Sequence, residues 1–126
     1  MAGKKILVIG NEIVVNNVAG LLYPDAIGVY DVVSWVQSQG GGVVDWSSDA
    51  VTRVIQQHGE NYSAIVVDLG EQHAAQAARD AGFKDKPIIG IGSHPSDQIP
   101  GADRVLAFHI CMDKLLLRKT LDELVK

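Results

Sequence analysis

One short run limits what this chain can fold into: Tyr62-Ser63-Ala64-Ile65-Val66-Val67-Asp68-Leu69-Gly70. Four apolar residues, three of them β-branched, end in a carboxylate and a turn-forming glycine follows. A run this short and this rich in Ile and Val reads as a strand buried on both faces, at the centre of a parallel sheet. In an open α/β sheet, ligands and chemistry collect in the crevice at the carboxyl ends of the strands. Asp68 is therefore expected at that rim.

The flanking segments extend the pattern. Residues 4–9 (KKILVI) form the expected first strand, broken by Gly10-Asn11-Glu12. Residues 11–24 (NEIVVNNVAGLLYP) combine β-branched residues, two asparagines and Gly20, a poor helix composition, and read as an irregular, partly extended loop. Pro24-Asp25 then starts a helix that places Ala26, Val29, Tyr30, Val33 and Val36 on one face and stops at Gly40-Gly41-Gly42. Val43-Val44-Asp45-Trp46 is the expected second strand. Ser47-Ser48-Asp49 caps a helix carrying Val51, Val54 and Ile55 to His58-Gly59.

After the central strand, a helix through residues 74–79 ends at Gly82. The fourth strand spans residues 86–92 (KPIIGIG), with Pro87 at its first position, where a missing amide is tolerated. Residues 93–100 (SHPSDQIP) hold two prolines and read as loop. Residues 105–108 form the fifth strand, and the last helix runs from about 111 to 125 with Met112, Leu115, Leu116, Leu121, Leu124 and Val125 as its apolar positions. Strands alternating with helices imply a parallel sheet covered on both sides. The expected architecture is a flavodoxin-like three-layer α/β sandwich: one domain, five parallel strands in the order 2-1-3-4-5, and the helix between strands four and five shortened or absent.

Composition narrows the functional classes. A chain of 126 residues, 47% hydrophobic and 21% charged, suits one soluble globular domain. The net charge of -4 and scattered basic residues argue against nucleic acid as a direct partner. The single cysteine, Cys111, permits no internal disulfide and fits a reducing compartment. No run is long enough to span a bilayer, and the four aliphatics after Lys5 are too few for a secretory signal, so the expected location is the cytoplasm. The four histidines lack metal-ligand spacing, no G-x-G-x-x-G follows the first strand, and Gly40–Gly42 lies at the wrong end of the sheet to cradle a phosphate.

Four pieces in order, KKILVIGNE, YSAIVVDLG, KPIIGIGS and GADRVLAFHI before a Leu-rich final helix, resemble a response-regulator receiver domain, the CheY-like kind. The resemblance implies an acidic pair for Mg²⁺ after the first strand, a phosphoaccepting Asp after the third, a Ser or Thr after the fourth and a Lys after the fifth. Here the acidic pair falls on Gly10 and Asn11, with Glu12 next. The phosphoacceptor position is Asp68. The hydroxyl position falls on Gly92, with Ser93 adjacent, and the lysine position lies near Phe108-His109, with His109 as a weaker cation. Without a carboxylate pair, Mg²⁺ affinity and charge neutralisation in phosphoryl transfer both fall. The resemblance is thus to a degenerate, or pseudo-, receiver, with no catalytic residue and no resident cofactor. It implies a signalling module that binds a protein partner, such as a kinase or an output domain.

Three other readings stay open on the residues alone. Asp68 could be an active phosphoacceptor with an atypical Mg²⁺ site. The crevice of Gly10, Asn11, Asp68, Gly92 and Ser93 could take a small ligand or nucleotide. Asp68 could also simply cap the turn that follows it. The apolar segment 11–24 is expected to lid the crevice or to join a homodimer.

Overall fold

The computed structural model describes residues 4–10, 16–18, 20, 29–33, 48–68, 72–92, 98–107 and 114–125. Five strands form one parallel sheet: β1 (Lys4–Ile9), β2 (Tyr30–Val33), β3 (Tyr62–Asp68), β4 (Ile88–Gly92) and β5 (Arg104–Ala107). Their order is β2-β1-β3-β4-β5. This is the expected flavodoxin-like layout, with the chain reversing its direction of growth between β1 and β3. Beside the sheet, among the described residues, lie α1 (Ser48–His58), α2 (His73–Asp80) and α3 (Lys114–Leu124).

Strand alternation divides the core into two layers, one on each side of the sheet. Leu7, Ile9, Ile65, Val67 and Ile88 meet Val51, Val54 and Ile55 of α1 and the alanine face of α2. Ile6, Val8, Ala64, Val66, Ile89 and Ile91 meet Leu117 and Leu121 of α3, together with Val18. β1 is buried from Ile6 to Ile9 and β3 from Ala64 to Val67, which is why these stretches read as continuous aliphatic runs. β1 slips by one residue against β3 between Lys5 and Ile6, so that Ser63 has no partner on β1.

α2 is short, and Ala74, Ala75, Ala77 and Ala78 let it lie close to the sheet. It ends in a Schellman arrangement: the Phe83 amide donates to the Ala78 carbonyl at 3.0 Å and the Gly82 amide to the Arg79 carbonyl at 3.1 Å, with Gly82 at φ +107°. Phe83 then folds back into the core beside Ala78.

Three readings from sequence need correction. β2 is Tyr30–Val33, hydrogen-bonded to β1 with Lys4 opposite Tyr30 and Leu7 opposite Val33. The expected helix over these residues does not form, and the expected strand at 43–46 lies outside the described residues. Tyr30, Asp31, Val32 and Val33 hold three β-formers, and pairing to the buried β1 outweighs their incidental helical spacing. Secondly, Asn16, Asn17, Val18 and Gly20 are helical where a loop is expected. Val18 is fully buried, so packing overrides the poor propensity of its neighbours. Thirdly, in the last helix Leu117 is buried and Leu116 exposed, the reverse of the expected apolar face. The Thr120 hydroxyl, buried in that helix, is satisfied by donating to the Leu116 carbonyl at 2.8 Å.

Between β4 and β5, the described residues 98–103 are turn and coil rather than helix. Ile99 covers the sheet here. Gly90 in β4 makes room for it: a Cβ on Gly90 would lie 2.4 Å from Ile99 Cδ1.

Candidate functional site

Asp68 is the last residue of β3 and stands at the carboxyl rim, half-buried. The register fixes its company. Ile9 of β1 pairs with Val67, so Gly10 comes one step beyond, beside Asp68. On the other side Asp68 is opposite Ile91, and Ile91 is opposite Leu106 of β5. The row across the sheet at this level is therefore Gly10, Asp68, Ile91 and Leu106. Gly10, Ile91 and Leu106 are buried, and none of them carries a charge or a side-chain hydrogen-bonding group.

Alternation along β3 sends position 68 to the same side as Ala64 and Val66, the side covered by α3. Position 92, one step past Ile91, belongs to the opposite side with Ile88 and Gly90. Gly92 thus shares the rim with Asp68 without facing it, and its neighbour on β5 is Ala107. Of the residues singled out from sequence, the fold brings together Gly10 and Asp68 and places Gly92 nearby. Asn11, Glu12, Ser93 and His109 lie outside the described residues. Among the described residues, no group of three or more His, Cys, Asp or Glu side chains could hold a metal ion.

Most of the polar side-chain bonding described for the sheet sits at the opposite end, and sequence reading did not anticipate it. Arg79, at the end of α2, donates through Nε to the Gly101 carbonyl at 3.0 Å and through Nη1 to the carbonyls of Phe83 at 3.0 Å and Lys86 at 2.8 Å. Its Nη2 meets Asp103 Oδ2 at 2.8 Å. The fork geometry of guanidinium lets one side chain tie three segments together. Lys86 Nζ donates to the carbonyls of Gly59, Glu60 and Tyr62, the last at 2.8 Å, and lies 5.6 Å from the centre of the Phe83 ring. These contacts hold the amino ends of β3, β4 and β5, the anchored end of the sheet. The only signal in the sequence was a pair of cations near turns, too common to single out.

A concave feature lies beside α2. An open cleft of about 610 Å³ is lined by Ser48 and Thr52 of α1, by Gln72, His73, Gln76 and Asp80, and by Pro100. Gln76 Nε2 donates to Asp80 Oδ1 at 2.9 Å within it. No helix among the described residues is long and apolar enough to cross a membrane.

No family model matches the chain, and no curated protein matches it.

Proposed function

We propose that this chain is a receiver-like regulatory module of the degenerate type, which acts by binding a protein partner without efficient phosphoryl transfer. The observation that carries the reading is the row Gly10–Asp68–Ile91–Leu106. A carboxylate ends the central strand of a 2-1-3-4-5 parallel sheet, where a receiver carries its phosphoacceptor, and its cross-sheet neighbours are apolar. Phosphoryl transfer to a carboxylate needs positive charge around the equatorial phosphate oxygens, supplied by a metal ion and by cationic or hydroxyl side chains. Gly10 offers no metal-ligating oxygen from a side chain, and Gly92 offers no hydroxyl. The sheet retains the frame of such a site, and Asp68 serves as part of that frame. The setting that fits this reading is the cytoplasm, with a kinase or an output domain as the class of partner.

The deciding experiment incubates the protein with acetyl phosphate and Mg²⁺ and reads intact mass. The expected result is an unmodified chain. A stable added phosphoryl group, lost in Asp68→Asn, would overturn the reading in favour of an active phosphoacceptor. Cross-linking in cells followed by affinity recovery of the wild type and of Asp68→Asn supplies the second arm. The same partner is expected with both, and a partner captured only after phosphodonor treatment counts against the proposal.

A further inference from the structure

We draw no further inference here: the strongest candidate, the open cleft between α1 and α2 lined by Ser48, Thr52, Gln72, His73, Gln76 and Asp80, presents polar side chains that are all exposed or half-exposed, and nothing in the structure shows what fills it.

Discussion

Arg79 and Ile88 meet at one carboxylate oxygen: Asp103 Oδ2 accepts from the Arg79 guanidinium at 2.8 Å and from the Ile88 amide at 2.9 Å. The Asp103 amide in turn donates to the Ile88 carbonyl at 2.7 Å. Asp103 therefore closes the start of the β4–β5 pairing while Arg79 holds it to α2. The Arg79 side chain is only one-fifth exposed, so its bonds to backbone carbonyls are poorly replaced by water. Arg79→Ala is expected to cost about 3 kcal/mol of folding stability. Arg79→Lys is expected to recover little of that loss, because an ammonium cannot span the same fork of acceptors. Urea unfolding of the two variants checks this; a lysine variant as stable as the wild type would show that charge alone, and not the fork, matters.

Gly101 marks where the β4–β5 connection turns against α2. Its φ is +92°, and an added Cβ would lie 2.8 Å from the Ala75 carbonyl carbon and 2.9 Å from the Gln76 amide nitrogen. Backbone on the far side cannot rotate away. Gly101→Ala is expected to destabilise by about 3 kcal/mol, from the left-handed backbone and the clash together. Gly90→Ala meets a side chain instead, Ile99, and is expected to cost about 1–2 kcal/mol. Pairing Gly90→Ala with Ile99→Val should relieve part of that cost, so a double-mutant cycle in thermal or urea unfolding should show coupling. Strict additivity would mean that the two residues do not press on each other.

The fold was legible wherever one pattern dominated. Ile65, Val66 and Val67 are buried on both faces and cannot be mistaken for anything but a central strand. Val51, Val54 and Ile55 fit only a helix. Residues 29–33 satisfy two periods at once: Val29, Tyr30 and Val33 keep helical spacing, while Tyr30 and Val32 alternate. What decides between them is the hydrogen-bonding edge of β1, a partner distant in sequence. The rim position of Asp68 was readable because a strand end is a local property. Its neighbours were not, because Ile91 comes opposite Asp68 only through the β3–β4 register. The Arg79 cluster was hidden for the same reason: its acceptors lie on two connections, one before β4 and one before β5.

Leu115-Leu116-Leu117 offers three adjacent leucines, and sequence spacing alone does not say which one faces the sheet. Leu117 is fully buried among Val66, Ile89 and Leu121, whereas Leu116 is 38% exposed. Leu117→Ala is expected to cost about 2–5 kcal/mol, from lost apolar burial and the cavity left behind. Leu116→Ala should fall within about 0.5 kcal/mol of the wild type. Thermal unfolding of the pair tests the orientation of α3. Equal losses, or a larger loss at Leu116, would mean that the helix is rotated relative to the sheet.

Tyr30 ties the edge strand β2 to the final helix: its hydroxyl donates to Asp122 Oδ1 at 2.5 Å. Burial, then that hydrogen bond and the negative charge of Asp122, hold the phenol protonated well above its usual range; Arg118, also facing it, works weakly in the other direction. The folded state thus keeps a proton that the unfolded chain releases near pH 10. Proton binding is then greater in the folded state, and stability must fall as pH rises. The contribution is fully present below about pH 10 and is lost progressively above it, as pH climbs towards the folded-state value. Tyr30→Phe cannot ionise. It is expected to lose about 1 kcal/mol at neutral pH, from the missing hydrogen bond. Above about pH 10 its stability should decline less steeply than that of the wild type, so the two curves converge. Urea unfolding of both proteins from neutral to alkaline pH, with phenolate absorbance followed in parallel, measures the effect. Curves that stay parallel across the alkaline range would show that Tyr30 ionises as readily in the folded protein as in the unfolded chain.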